Sequence, residues 1–501
     1  MSDTHRRVRR HTNNSPNYSN HNLTNYDLTN YDLNMTFIGR THELEFLESC
    51  YADKKAQLVF LYGRRRVGKT EVLSQFAAGK QCVFFAAQSS TKEGQLASFS
   101  RQMFEAGAPA GRYVSQYTDW QSALRDISSL PFGNARKLII FDEFPYLVKS
   151  DPSLPSVLQN LWDHTLCHEN LMIIICGSAM SFIEKELLSE KAPLYGRATG
   201  ILKMEPMSYR EAAEFLPNYN VEDRILAYSI LGGIPHYLAQ FDPDESLETN
   251  VKQRILTKGA ALYSETEFLM RQEFREIAVY NAIIQTVAMG ATQLSDISNR
   301  VMLPAQKVSV YIGNLIEVGI LTREFPVGSK LVEHSKGMHG LYQITDGFFR
   351  FWYAFVFPNR SDLDMGDING VWKHSIQPML HNFAATPFEK ICAQWLRIQS
   401  IAGKLPFRAT DIGRWWDRHN EIDMAATSRN SKQVILGECK FRSKQVDTAI
   451  LRALQTKAVA FTASDIYYYL FSLNGFEPAL QQLALMDAHI TLVSSDQLYV
   501  D

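Results

Sequence analysis

The octapeptide Gly63–Thr70, GRRRVGKT, constrains this chain more than any other feature. It satisfies the Walker A pattern, directly follows the apolar run LVFLY and opens onto TEVLSQFA. Strand, loop and helix thus come in the order that phosphate binding needs, because the first amides of a helix carry partial positive charge and face the loop. On this reading Gly63, Arg64, Arg65, Arg66, Val67, Gly68, Lys69 and Thr70 form a nucleotide-binding loop. Lys69 reaches the β and γ phosphates, and the Thr70 hydroxyl ligates Mg²⁺. The partner signal is LIIFDE at 138–143. Asp142 is placed to hold the Mg²⁺ shell and Glu143 to polarise an attacking water, and packing alone is a poor reason for two acids at the end of a buried strand.

Weaker signals surround this pair. The run LMIIICGSA ends at Ser178, a candidate sensor of the γ phosphate, with an ordinary polar strand end as the alternative. Arg197, in LYGRAT, is a candidate arginine finger in cis or from a neighbouring subunit, with a surface arginine as the equal alternative. Gly232, Gly233 and Pro235 in LGGIPHYL interrupt a helix, either for a nucleotide-contacting turn or as a plain junction.

Apolar runs interleaved with amphipathic stretches give four strands within 58–178, which is the pattern of an α/β fold with a parallel sheet covered on both faces. At 501 residues the chain holds several domains. Its 51 Lys plus Arg against 53 Asp plus Glu exclude a wholly basic nucleic-acid coat while leaving room for a local basic face. No apolar run approaches the roughly 20 residues of a membrane span, and no signal sequence follows the early arginines, so no membrane partner is expected. Six cysteines without paired spacing fit a reducing, cytoplasmic setting. Residues 1–34 read as a disordered polar tail, and Met35 is either the translation start or the domain edge.

The folded pattern divides into a P-loop core at 35–204, a helical lid at 205–275, a winged helix-turn-helix at 276–335, an aromatic-rich linker at 336–379 and an α/β segment at 380–501. In the winged helix, VSVYIGNLIEVG is the recognition helix, with Ser309, Tyr311 and Asn314 as contact candidates. It carries just Lys307 and Glu317, a poor footprint for DNA. Taken together, FIGRTHELEFL, GRRRVGKT, LIIFDEFPYL, ICGSAMSF, YGRAT and LGGIPHYL resemble the archaeal-type prokaryotic ATPases, relatives of the STAND NTPases in the AAA+ class. That resemblance implies ATP as the nucleotide, Ser178 at a sensor position, a lid near 232–235 and a C-terminal DUF234 domain.

The last segment holds a second constellation. Glu389 lies on a helix, Asp423 in EIDMAA, and Glu438 and Lys440 in LGECKF, so three carboxylates and a lysine can converge on a second Mg²⁺ or Mn²⁺. GKLPF, EIDMAATS, VILGECKF and ITLVSS are the strand candidates. The segments GRWWDRHNEIDMAA and VILGECKF resemble the PD-(D/E)xK restriction-endonuclease-like fold, in which Glu389 takes the place of the first-helix acid, Asp423 the central ligand and Glu438 with Lys440 the E-x-K pair. Gln455 matches a polar residue of the following helix, and Trp415 and Trp416 either stack on bases or pack inward. The resulting expectation is an Mg²⁺-dependent ATPase switch acting on DNA, a protein partner or a second copy of itself. An ATP-regulated nuclease and a non-cleaving DNA-binding ATPase are the alternatives.

Overall fold

The computed structural model describes residues 37–329 and 340–500, so the polar tail and Met35 lie outside the described residues. The first sheet is built from β1 (Gln57–Gly63), β2 (Cys82–Ala86), β3 (Lys137–Asp142), β4 (Leu171–Gly177) and β5 (Gly200–Met204), in the order β2-β3-β4-β1-β5. All its pairings are parallel. Every residue of β1 and β4 is buried, which is why their sequences run apolar without alternation. Leu58, Phe60 and Tyr62 enter one core while Val59 and Leu61 enter another, so the sheet is clad on both faces. The four expected strands are present, and β5 is a fifth on the edge.

Beyond the sheet, in the segment expected as the lid, lie helices that include Tyr209–Ala213, Val221–Leu231 and Glu265–Glu273. Ser208 starts the first of them with a reciprocal capping box to Glu211, which satisfies two otherwise orphaned amides. Three helices follow, Ile277–Ala288, Leu294–Val301 and Ala305–Glu317, and then an antiparallel hairpin of β6 (Leu321–Glu324) and β7 (Leu341–Ile344). Three helices and a hairpin are the element order of a winged helix. The hairpin's second strand falls beyond the boundary expected at 335.

The C-terminal body contains the long helix Leu380–Ile401, β8 (Ala409–Trp416), β9 (Glu421–Ser428), β10 (Gln433–Lys440), helix Thr448–Lys457, β11 (Asp465–Ser472), helix Pro478–Met486 and β12 (Ile490–Ser494). The sheet order is β12-β11-β10-β9-β8, with β8, β9 and β10 an antiparallel meander and β10, β11 and β12 parallel. GKLPF forms a turn rather than a strand, and β8 and β11 stand where no strand was expected.

The segment between the wing and this body is no linker. Phe348, Phe349, Phe351, Trp352 and Tyr353 are almost wholly buried and belong to one continuous apolar core that runs from Met207 through helices Ile277–Ala288 and Ala305–Glu317 to Leu498. The P-loop sheet has its own separate cores. Packing therefore sets the P-loop sheet, with cores of its own, apart from a second body that begins at about Met207, whose parts share this core and which holds a further one on the other face of the C-terminal sheet.

Candidate nucleotide site and the C-terminal acid cluster

β1 delivers the phosphate loop at its carboxyl end. Gly63 has no room for a side chain, because a Cβ there would lie 2.5 Å from the Met204 carbonyl oxygen. Gly68 sits at φ 90°, a left-handed conformation that glycine adopts without steric cost, and it starts helix Lys69–Ala77. Lys69 is buried, and its Nζ donates to the carbonyl oxygens of Gly63 and Arg64, both at 3.0 Å. The Thr70 hydroxyl donates to Asp142 Oδ2 at 2.7 Å, and Asp142 Oδ1 accepts the Glu143 amide at 3.0 Å. A hydroxyl and a carboxylate brought together at the loop are hard oxygen donors, so Thr70 and Asp142 fit Mg²⁺.

Glu143 occupies the left-handed region at φ 52°, which costs a non-glycine residue roughly 1–2 kcal/mol. Its Oε2 accepts from the Ser178 amide at 3.2 Å and from the Ser178 hydroxyl at 2.9 Å. Helix Phe144–Ser150 presses Pro145 against Gly177, where a Cβ would meet the proline ring at 2.7 Å, and this close approach brings the end of β4 up to Glu143. Ser178 thus lies between the two Walker strands and is bonded to the Glu143 carboxylate.

The three loop arginines turn their side chains away from the loop toward acids of the second body. Arg64 Nη1 is 2.5 Å from Asp346 Oδ2, Arg65 Nε is 2.7 Å from Glu273 Oε1, and Arg66 Nε is 2.8 Å from Glu265 Oε1. Asp346 also accepts the Phe349 amide, capping the aromatic helix Gly347–Phe351. Sequence reasoning assigned these arginines to the nucleotide and missed their acids. It also missed Arg40, whose guanidinium donates to the Val67 and Glu205 carbonyls, both at 2.9 Å, and so ties the amino-terminal segment to the loop and to the end of β5. The motif FIGRTHEL was the available signal.

Arg197 requires a correction. It forms a forked pair with Asp163, Nη2 to Oδ2 at 2.8 Å and Nε to Oδ1 at 3.0 Å, just before β5 starts. Thr199 there is bonded to Leu58, so Arg197 lies at the amino edge of the sheet. The phosphate loop starts five residues along β1, roughly 16 Å away at strand rise. A finger role in cis fails on that distance.

In the C-terminal body the meander brings the second constellation together, but with cations inserted. Asp423 Oδ2 accepts the Cys439 amide at 2.9 Å and lies 3.6 Å from Lys440 Nζ, which donates to Glu438 Oε1 at 2.6 Å. Lys457, two residues beyond the expected Gln455 on the same helix, puts its Nζ 3.3 Å from Glu438 Oε2. Glu389 Oε2 is 3.3 Å from Arg414 Nε, and Arg414 also pairs with Glu324 and Glu421. Burial first, and then the Asp423 charge, pushes the Glu389 carboxyl up to about 8. Burial and then Glu438 raise Asp423 as well. Among the described residues no group of three His, Cys, Asp or Glu is arranged to hold a metal, so the expected convergence on a second Mg²⁺ or Mn²⁺ is not assembled here. Trp415 packs on Phe461 and Trp416 lies near the Arg414 guanidinium. In helix Ala305–Glu317 Tyr311 is buried and bonded to Glu276, and Asn314 donates to the Tyr280 hydroxyl at 2.7 Å. Of the three contact candidates, Ser309 is exposed.

This fold and this loop define a P-loop ATPase. Residues 37–241 match the model of an ATPase domain predominantly from Archaea, and residues 352–451 match DUF234, described as archaeal and bacterial proteins of unknown function. An uncharacterized protein of Methanocaldococcus jannaschii is 30% identical over 410 residues, covering 81% of this chain and 88% of that protein. The chain therefore belongs to the family of archaeal-type P-loop ATPases that carry a C-terminal DUF234 domain. An uncharacterized ATP-binding protein of the same organism is 51% identical over 45 residues, 9% of this chain and 76% of that protein. Among solved structures, a Walker-type ATPase of Pyrococcus abyssi is similar at 20% identity and a TM-score of 0.49, covering 63% of this chain and 96% of that one. Among the described residues no helix is long and apolar enough to cross a membrane.

Proposed function

We propose that this ATPase is a molecular switch in which ATP hydrolysis shifts the second body against the P-loop sheet and so changes a contact with DNA, a protein partner or a second copy of the chain. One observation carries the reading: a single apolar core joins lid, winged helix and C-terminal body, and arginines of the phosphate loop reach acids on that body. A change in charge at the loop is thus felt by the whole second body. Six free cysteines support a reducing, cytoplasmic setting.

In the reaction the loop amides and Lys69 bind the β and γ phosphates. Mg²⁺, held by Thr70 and Asp142, supplies charge neutralisation on the phosphate oxygens when bound. Glu143 orients a water and takes its proton, while Ser178 fixes the position of the Glu143 carboxylate. The exposed face of helix Ala305–Glu317 bears Val310 and Ile316 rather than a row of cations, which favours a protein over a duplex as the partner of the winged helix.

The test is hydrogen exchange on the Glu143→Gln variant with ADP and with ATP. Residues 265–273 and 346–356 are expected to change protection together between the two nucleotides. No difference, or a change confined to the loop, would sink the switch.

A second reading, a metal-dependent DNA nuclease, is supported by the helix, three-strand meander, helix and parallel strand order of the C-terminal body, and by the nearness of Asp423, Glu438 and Lys440. Plasmid cleavage in Mg²⁺ or Mn²⁺ that disappears in both Asp423→Ala and Lys440→Ala would favour it. Absence of cleavage by the unaltered protein would dismiss it.

A further inference from the structure

Transfer of a phosphoryl group to water leaves negative charge on its equatorial oxygens and on the leaving oxygen, and P-loop enzymes place a guanidinium there. Arg197 is at the wrong edge of the sheet. The position of the reacting group can be bounded from this chain's own residues, because it must lie between Lys69 with Thr70 on one side and the Glu143–Ser178 pair on the other. Next to that place is a cavity of about 180 Å³ whose wall includes Ser178, Met180, Arg64, Arg65 and Glu273. Its described wall offers two guanidinium groups, Arg64 and Arg65.

Energetics separate the two. Arg64 faces an Asp346 side chain with no exposure and stacks over the Phe349 ring at 5.5 Å. Taking that arginine away would leave a buried, unpaired carboxylate, which is strongly unfavourable. Arg65 and Glu273 are 34% and 30% exposed, so water and salt screen their pair and its net worth is small. Glu273 is also the last residue of its helix, where the partial negative charge of the free carbonyls disfavours an acid. Arg65 further contacts Tyr146, on the helix that starts directly after Glu143. It is therefore a cation adjoining the reacting centre, held by a solvent-screened partner on the lid.

We propose that Arg65 is a catalytic residue of this ATPase, a cis-acting arginine that neutralises charge on the transferring γ-phosphoryl group, and that Glu273 of the lid holds it in reserve. The proposal rests on the hydrolytic switch described above and names its regulation. In the step, the water oxygen bonds to the γ phosphorus while the bond to the β–γ bridging oxygen breaks and its electron pair leaves on ADP. The water proton passes to Glu143 and from there to phosphate. Arg65 moves from Glu273 to the γ oxygens and undergoes no covalent change. Lid position thus sets how much of the time Arg65 is available.

The test compares Arg65→Ala, Arg65→Lys, Glu273→Gln and the double variant R65A/E273Q with the full unaltered chain. Phosphate release, ADP affinity and trapping of ADP with aluminium fluoride are measured. Arg65→Ala is expected to lose roughly 10³-fold in turnover and to lose trapping, while ADP affinity changes less than about tenfold. Arg65→Lys restores little, because an ammonium lacks the planar fork. Glu273→Gln is expected to raise turnover severalfold at low salt and to remove the salt-induced rise of the unaltered protein; in the Arg65→Ala background it changes nothing.

Turnover of Arg65→Ala within about threefold of the unaltered protein, with trapping intact, overturns the catalytic assignment. An equal rate for Glu273→Gln and the unaltered protein at every salt concentration overturns the latch. Failure of the underlying reading has its own mark: Glu143→Gln would then hydrolyse ATP at full rate, and the assignment of Arg65 would fall with it.

Discussion

The two acid clusters of this chain look alike in sequence and differ in their partners. At the end of β3, Asp142 is bonded to a hydroxyl and an amide, and Glu143 to a hydroxyl and an amide. Those partners are neutral, which under the proposed function leaves the charge for a divalent cation and a polarised water. In the C-terminal body Glu438 meets the ammonium groups of Lys440 and Lys457, and Asp423 lies 3.6 Å from Lys440 Nζ. That charge is already compensated within the fold, and a metal would have to compete with it. Motif spacing locates a cluster of acids; the groups bonded to them decide which charge the site still accepts.

The largest effect that can break this comparison is on phosphate release. Lys69→Ala and Glu143→Gln are each expected to lower ATP turnover by about 10²–10³-fold, since each removes a group that acts on the reacting phosphates or water. Asp423→Ala, in the other cluster, is expected to leave turnover within about twofold. A comparable loss in Asp423→Ala, with the protein still folded, would mean that the two clusters work as one.

Next in size is the buried tie between the two bodies. Asp346→Ala strips Arg64 of its partner and removes a helix cap, and is expected to destabilise the protein by about 3–5 kcal/mol in urea unfolding. Glu317→Ala, which removes a half-exposed pair with Lys185, is expected to cost under about 1 kcal/mol. Equal costs for the two would show that burial does not separate these contacts. A smaller effect concerns metal in the C-terminal body: Lys457→Met removes one of the two ammonium groups on Glu438 and is expected to strengthen Mn²⁺ binding, followed by electron paramagnetic resonance, roughly tenfold. Unchanged affinity would locate the obstacle elsewhere than in charge.

Why one region was legible and the other less so follows from the same physics. GRRRVGKT and LIIFDE are local patterns: the strand, the loop and the acid occupy fixed spacings, and both central strands are buried on two faces, so their apolar runs are unbroken. β5 was hidden because, as an edge strand, it alternates in burial and reads as GILKM rather than as an apolar run. Its omission carried a second error, because reading 200–204 as a fifth parallel strand would have put Arg197 at the edge opposite the phosphate loop. β8 was missed for a similar reason, being only partly buried and carrying Asp411 and Arg414. The acids that meet Arg64, Arg65 and Arg66 come from far downstream, and no spacing rule connects an arginine to a carboxylate through tertiary packing.

The finest test uses pH, because two parts of the second body, the helices around Pro235 and the long helix Leu380–Ile401, bury ionisable groups of opposite kind. His236, in the lid, is pulled down to about 4 by burial and then by Arg66. The unfolded chain binds a proton at this imidazole below about 6.5 while the folded chain does not, so this group makes stability rise with pH from about 4 to about 6.5. Glu389 has the reverse sign. Its carboxyl, pushed up to about 8 from 4.5, keeps its proton in the folded protein after the unfolded chain has lost it, so its contribution falls as pH rises through that window. Glu389→Gln is expected to flatten the decline between about pH 5 and 8, and His236→Gln the rise at acid pH, each without altering the other limb. The readout is urea unfolding across pH with one probe near His236 and one near Glu389. If Glu389→Gln leaves the slope unchanged, the carboxyl ionises normally; Arg414 then compensates it fully, and the C-terminal cluster is a settled ion-pair network with no protonated acid to offer.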